Sequence, residues 1–434
     1  MDLIYARWQM GLSLAFHIIF AVIGMAMPIM MVVAEATWLH TQHAEYLDLA
    51  KRWARGTAIL FAVGAVSGTV LSFELGLLWP AFMAFAGPII GVPFSLEGFA
   101  FFLEAIFLGV YLYGWDRVRP TTHVFAGGIV ALSGALSGAS VVTVNSWMNT
   151  PAGFRIADGA LIAVDPFPAM FNPAAAPQVV HMLLAAYSAV GIAVAGIHAR
   201  LLLRDPSHPF HRRAFAIALL VGLPASLAQP LAGDWAGRVL ARTQPAKLAA
   251  LEGHFDTQTY APVRIGGIPD VNAQATRYAI EIPGGLSFLA FGDRSARVVG
   301  LKDLPRDEWP PVLPVHLAFQ VMVAIGSWLA LLALWAGLLA WPRRLFDSRV
   351  FLRATFWSTS LGFIAIEAGW IVTEVGRQPW IIQGVMKTAE AVTPMPGLAI
   401  PFVLFTVIYL VLAAVVVALI RRTIVDTGPG RGIQ

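Results

Sequence analysis

The sequence predicts an all-α integral membrane protein of nine spanning helices, and three observations carry that prediction. Of its 434 residues, 58% are hydrophobic and only 12% are charged, where soluble domains carry about a quarter charged. Mean hydropathy is +0.72, so most of the surface must be solvated by lipid. Nine segments reach the roughly 20 mostly apolar residues that a bilayer crossing needs: 12–35, 57–85, 94–115, 123–147, 178–202, 213–233, 314–340, 352–375 and 397–420.

An odd number of spans puts the termini on opposite faces, and Lys/Arg placement selects which face is which. One set of loops, together with the C-terminal tail, holds sixteen Lys and Arg residues, among them Lys51, Arg117, Arg200, Arg344 and Arg421. The short segments on the other side hold only Arg7, Arg155, Arg377 and Lys387. The N-terminus is therefore expected to be periplasmic and the C-terminus cytoplasmic. MDLIYARWQMGLS lacks a small-residue cleavage site after a short apolar stretch, so the first span reads as a retained helix. The expected organisation is 1–233 with helices 1–6, an external loop 234–313, and 314–434 with helices 7–9. That loop is polar and carries the turn signals Gly266-Gly267 and Pro283-Gly284-Gly285. Connections of this length are functional or disordered, and a folded site element is expected here.

Cysteine is absent, which removes disulfides, thiolate zinc sites, iron–sulfur clusters and covalent c-type haem. Any redox centre must be held by His, Met or carboxylate. The net charge of +4 is spread over many loops and points to no nucleic-acid partner.

An ionised group in the membrane costs several kcal/mol, so each is a functional candidate. The spans contain Glu74, Glu97, Glu104, Glu367 and Glu374, with His17 and His181 inside or at the edge of others. The alternating direction of the spans places His17, His181 and Met322 in outer turns, Glu97 near an outer start and Glu374 at an outer end. Haem iron accepts His or a His/Met pair. Taken singly, each histidine reads equally as a core residue, and Met322 as core filler. Their shared level beneath the external loop is what independent core residues would not produce. His40, His43, His123, His198, His208, His211, His254 and His316 lie at span ends or in loops and read as interfacial. Glu97 and Glu104 are seven apart, which returns the second to the same helix face about 10 Å deeper. Stacked carboxylates suit a proton relay. Ser137 and Asn145, eight apart, extend such a path or simply join helices.

The segments RWQMGLSLAFH (7–17), LEGFAFFLE (96–104), GWDR (114–117), NSWMNTP (145–151), KLAALE (247–252), VHLAFQVMVAIG (315–326) and IEAGWIVTEVGRQPW (366–380) resemble subunit I of cytochrome bd-type quinol oxidases, in order and over nearly the whole chain. The resemblance implies roles by position. His181 and Met322 match the axial pair of a low-spin haem b. His17 and Glu374 match axial ligands of a high-spin haem b and a haem d. Glu97 matches a carboxylate beside those two haems, and Glu104, Ser137 and Asn145 match a cytoplasmic proton path. Lys247 and Glu252 match the quinol-binding pair of the external loop. Arg377 matches a partner of haem propionates and Trp370 an aromatic near the haems. The external loop lacks the C-terminal insertion of the long-loop members, and SFELGLLWPAFM (72–83) looks like the short-loop, cyanide-insensitive branch, where a further haem b can replace haem d. The Glu97–Glu104 interval is one residue shorter than in some long-loop members.

The resemblance also implies oxidation of a membrane quinol at the periplasmic face and reduction of O2 with cytoplasmic protons, in the bacterial inner membrane. The expected partners are a second membrane subunit and a small single-helix accessory subunit. Two other classes share parts of the pattern. A secondary transporter has intramembrane Glu and broken helices but needs no His and Met at one depth. A quinol-to-cytochrome c reductase subunit holds b haems by recurring His pairs, which do not occur here.

Overall fold

The apolar runs fold into helices that continue well past the bilayer core. In a computed structural model of the chain, residues 1–157, 160–340 and 344–422 are described. Their helices are α1 (Asp2–Thr41), α2 (Ala44–Leu78), α3 (Pro80–Tyr113), α4 (Pro120–Asn149), the short α5 (Pro166–Met170), α6 (Ala175–Leu202), α7 (Pro209–Thr243), α8 (Pro245–Leu251), α9 (Gly285–Phe291), α10 (Val312–Ala340), α11 (Arg349–Trp357), α12 (Leu361–Glu374), α13 (Thr388–Ala391) and α14 (Ala399–Ile420). Among the described residues, nine stretches are long and apolar enough to cross a membrane, α11 and α12 together forming one of them. The chain is a multi-pass membrane protein of the expected class.

Proline sets many of the starts. Pro80, Pro120, Pro166, Pro209 and Pro245 each stand in the first helical turn, where a missing N–H costs nothing. The helices overrun the expected spans because helix formation does not stop at the lipid boundary. α7, expected to leave the membrane at 233, runs on to Thr243, with Arg238 paired to Asp234 one turn back at 2.7 Å. The eighth span is broken at 358–360, where the Ser358 and Thr359 hydroxyls bond back to the carbonyls of Ala354 and Phe356. Trp328 Nε1 donates to the Ser358 hydroxyl from α10 at 2.8 Å.

Consecutive long helices pack antiparallel, α1 on α2, α3 on α4 and α6 on α7. α6 and α7 approach so closely at Gly191 and Gly222 that a Cβ on Gly191 would lie 2.5 Å from the Gly222 Cα. Small residues permit such contacts where lipid offers no hydrophobic drive for association. The start of α14 is tied to the start of α1, the backbone amides of Gly397 and Leu398 donating to Asp2 Oδ1. α14 therefore runs parallel to α1 and ends at the opposite end of the bundle.

Short hairpins decorate one end, hereafter the loop end: β1 (Arg155–Ala157) with β2 (Ala160–Ile162), β3 (Val263–Ile265) with β6 (Ile280–Ile282), β4 (Ile268–Asp270) with β5 (Ala275–Arg277), and β7 (Trp380–Ile382) with β8 (Met386–Lys387). The polar segment between α7 and α10 is thus folded, with its own small cores around Ala249, Leu251, Phe255 and Val315 and around Leu248, Ala261 and Leu286.

At the far end, Glu35 of α1 and His123 of α4 form a buried pair, Nδ1 to Oε1 2.7 Å, at 1% and 2% side-chain exposure. His123 Nε2 faces the Tyr111 carbonyl at 2.9 Å. His123, expected to be interfacial, is instead a core residue. Removing one member of such a pair leaves a polar group stranded, at about 3–5 kcal/mol for a buried ion pair. His123→Leu is expected to lower the thermal midpoint of the detergent-solubilised protein by several degrees, and an unchanged midpoint would show the pair to be structurally idle.

Candidate functional site

The segment after α7 turns back over the bundle because Gln244 and Pro245 end one helix and start the next. This puts Lys247 under the loop, 4% exposed. Its aliphatic stem lies on Gly376, whose added Cβ would meet Lys247 Cε at 2.8 Å. Its ammonium donates to Asn149 Oδ1 at 2.6 Å. Burial, with the Arg377 guanidinium nearby, pushes Lys247 down to about 7.

Asn149 belongs to a cluster that joins the loop to two membrane helices. Asn149 Nδ2 donates to Asn145 Oδ1 at 3.2 Å, as does the Thr373 hydroxyl. Asn145 Nδ2 in turn donates to Glu374 Oε1. Arg377 donates to Glu374 Oε2 at 2.5 Å. Glu374 therefore has both oxygens held, whereas Arg377, 2% exposed, keeps Nε and Nη1 without partners among the described residues. Buried guanidinium N–H groups left open are rare unless they face an acceptor such as a carboxylate.

Glu252 ends α8 and is 4% exposed. Burial pushes its carboxyl up to about 7, opposed by a backbone hydrogen bond and the charge of Arg264. Its Oε2 has no partner among the described residues. Next to it, burial and Arg264 push His254 down to about 4. A surface cleft of about 550 Å³ lined by Val271, Asn272, Lys302, Arg306 and Trp309 includes neither Lys247 nor Glu252.

Deeper in the bundle, three expected ligand types sit at helix crossings. His17 Nδ1 bonds the Ser67 hydroxyl at 3.0 Å, and its ring lies flat enough on α2 that a Cβ on Gly68 would meet Cε1 at 3.0 Å. His181 of α6 faces Gln229 Nε2 of α7 at 3.2 Å, beside Gly233. Met322 of α10 rests on α12, where a Cβ on Gly369 would come 3.2 Å from its sulfur. Trp370 follows on that helix and packs against the main core. All of these lie in the half of the bundle nearer the loop end, as helix direction requires.

The carboxylates follow α4. Glu104 of α3, 5% exposed, lies between Gly24 and Gly134, whose added Cβ atoms would stand 3.7 and 3.3 Å from Oε1. Glu97 lies beside Ser137, and Asn145 holds Glu374. Positions 134, 137 and 145 span ~16 Å of one helix within about 80° of arc. Three carboxylates from two other helices thus converge on one stripe of α4.

The structure brings Asn145, Lys247, Glu374 and Arg377 into one cluster, which spacing alone did not suggest for Lys247. It leaves Glu252 in a separate buried pocket, and no bond joins it to Lys247. Ser67, Asn149, Thr373 and Gln229 were not singled out beforehand. Their polar, uncharged side chains inside apolar spans were the available signal. Glu74 is held by Gln9 and Ser13 at 3.0 and 2.9 Å, and Glu367 has a buried, unpartnered oxygen.

Comparison with known proteins agrees with this layout. The family model for cytochrome bd terminal oxidase subunit I matches residues 5–428. A Bacillus subtilis (strain 168) protein, provisionally named cytochrome bd menaquinol oxidase subunit I, is 38% identical over 96% of this chain and 95% of its own length. Cytochrome bd ubiquinol oxidase subunit 1 of the same strain is 33% identical, over 98% and 93%. The structure of bd oxidase from Geobacillus thermodenitrificans superposes with a TM-score of 0.92 at 39% identity, covering 98% of this chain and 99% of that one. With a family model spanning nearly every residue and a solved bd oxidase sharing the fold end to end, the chain belongs to the cytochrome bd terminal oxidase subunit I family.

Proposed function

We propose that this chain is the haem-bearing subunit of a quinol:O2 oxidoreductase that oxidises membrane quinol at the periplasmic face and draws protons for oxygen reduction from the cytoplasm. One observation carries the reading: the Lys247–Asn149–Asn145–Glu374–Arg377 cluster, which couples the loop to the level of the candidate iron ligands. Sixteen basic residues in the loops and tail of one side, against four in the short segments of the other, support a periplasmic loop end, since long loops escape the rule.

The residues present fit haem. Arg377 offers two buried, unpartnered N–H donors of the kind a propionate takes. Ser67 occupies His17 Nδ1, which leaves Nε2 as the ligating nitrogen and fixes the ring, as second-shell partners do at metal sites. His181 and Met322 would hold the low-spin haem b. His17 and Glu374 would hold the high-spin haem b and haem d, or a further haem b in its place. When bound, these groups carry electrons from quinol to oxygen.

The protein's own part is proton placement. Glu252 receives the quinol hydroxyl proton at its open Oε2, and Lys247 directs an N–H at the head group. Glu104, Glu97 with Ser137, and Asn145 form the path along α4 by which protons climb from the cytoplasm. Protons released outside and consumed from inside generate a potential without pumping. A second membrane subunit, with a small single-helix accessory subunit, would complete the complex.

A reduced-minus-oxidised spectrum of the purified complex, with haem extraction and quinol-driven oxygen uptake, tests the assignment. Three haem signals and oxygen uptake are expected. A colourless protein would point to a transporter, and b haems without oxygen uptake to a quinol-to-cytochrome c reductase.

A further inference from the structure

The folded segment of the loop end carries an apolar edge in an unexpected place. Alternation along β6 puts Ile280 and Ile282 on one side, with Ile265 directly across from Ile280, and Tyr278 lies two residues before the strand. Arg264 and Glu281 pair on the other side at 2.8 Å. Tyr278 is 88% and Ile280 69% exposed, and Ile265, Ile268 and Ile282 are each about half exposed. Tyr278 also holds a left-handed backbone, φ 60°, a conformation retained where surroundings enforce it. A soluble loop would not present such a cluster to water.

Depth explains the cluster. The ribbon is bonded to α10, not merely near it. The Gly266 amide donates to Gln320 Oε1 at 2.9 Å, Gln320 Nε2 donates to the Arg264 carbonyl at 2.9 Å, and His316 Nε2 faces the Gly266 carbonyl at 3.1 Å. A hydrocarbon core of ~30 Å takes about 20 helical residues. Counted back from Ala340, where the apolar run gives way to Arg343 and Arg344, that core begins near Gln320. The exposed stripe Leu313, Leu317 and Val321 of α10 runs beside the bonding face at the same height. Val271, at the other end of the ribbon, packs against the cluster that contains Val312 and Val315, farther out.

We propose that the ribbon tip, residues 265–268 with 278–282, is an interfacial anchor that inserts its Ile and Tyr side chains into the headgroup–acyl boundary of the bilayer. Tyr at this boundary and aliphatic side chains just below it are the usual arrangement of such anchors. The ribbon is tied to the segment that carries Glu252: Thr276 Oγ1 and Arg264 Nη1 both donate to the Gly253 carbonyl, at 2.7 and 3.3 Å. Lipid contact at the tip thus holds Glu252 at a set height over the membrane. The anchor itself does not depend on the quinol reading of that site.

The absence of cysteine from the chain makes the test direct. A nitroxide is attached at Ile280→Cys, and in a second protein at Asn272→Cys on the outer turn of the same ribbon, in the complete complex in phosphatidylethanolamine/phosphatidylglycerol nanodiscs. Labelled wild-type complex supplies the background. Power saturation with oxygen and with a water-soluble nickel chelate reads the depth of each label. The anchor requires position 280 to be severalfold more accessible to oxygen than to nickel, and position 272 the reverse. Equal nickel access at both positions would place the tip in water and overturn the proposal. A label at 280 shielded from both reagents would overturn it too, since a protein partner would then cover the tip. Tyr278→Cys serves as an independent second position if Ile280→Cys does not assemble.

Discussion

Met322→Leu abolishes the low-spin haem b signal of the reduced complex while the signals of the other two haems persist. Leucine matches methionine in volume, and such swaps in a packed site cost less than about 1.5 kcal/mol. The Met322 sulfur lies against Gly369, a contact that a leucine methyl can reproduce. What leucine lacks is the thioether lone pair, so the loss is of coordination and not of the fold. Quinol-driven oxygen uptake is expected to fall by at least roughly 100-fold, beyond the ~10–100-fold typical of losing a ligand's supporting partner. An unchanged spectrum would remove Met322 from the ligand set.

Gly369→Val is the matched control from the other side of the contact. A Cβ at 369 would already stand 3.2 Å from the Met322 sulfur, so the larger side chain displaces the sulfur without changing its chemistry. The low-spin signal should shift or weaken, in contrast to its disappearance in Met322→Leu.

The parts of this protein that follow from local chemistry were legible in the sequence, and the parts that depend on long-range return were not. Spanning helices declare themselves by length and apolarity, so α4, α6 and α14 lie where the hydropathy puts them, whereas the break at Trp79 ends α2 at Leu78 and gives residues 80–85, expected in the second span, to α3. Helix direction alone placed His17, His181, Met322 and Glu374 in the loop-end half. The break at 358–360 was hidden because Ser and Thr are tolerated in spans, and only their hydroxyls bonding back to α11 reveal it. Lys247 was harder still. Its motif marked it as a loop residue, but α7 and α8 fold it back until its ammonium reaches Asn149, 98 residues earlier in the chain. Gly24 and Gly134 looked like ordinary small residues, and their use as the walls around Glu104 appears only when α1, α3 and α4 pack. The ribbon of 263–282 read as turns, and its height against Gln320 is a tertiary fact.

Glu252→Gln removes the acid limb of the pH profile for quinol oxidation. Burial holds the Glu252 carboxyl at about 7, so its proton-accepting form grows as pH rises through neutrality. Burial brings Lys247 to about 7 from above, so the ammonium that would direct the head group is lost over the same interval. The wild-type kcat/KM for quinol should therefore be bell-shaped with a maximum near pH 7, each limb belonging to the free enzyme. Glutamine keeps the size of Glu252 but cannot accept the proton. Quinol oxidation should fall by roughly 100-fold or more, the contribution of a positioned general base, and the remaining activity should no longer rise between pH 6 and 7. Lys247→Met should instead flatten the alkaline limb and raise the KM for quinol. In both variants, oxygen uptake driven by an artificial reductant that bypasses the loop should stay near wild type. That separates a lost quinol site from a collapsed fold, since Lys247 also braces the Asn149 cluster. If Glu252→Gln oxidises quinol with the wild-type profile, the proton is taken elsewhere. The burial of Glu252 would then serve only the packing of α8 against the ribbon.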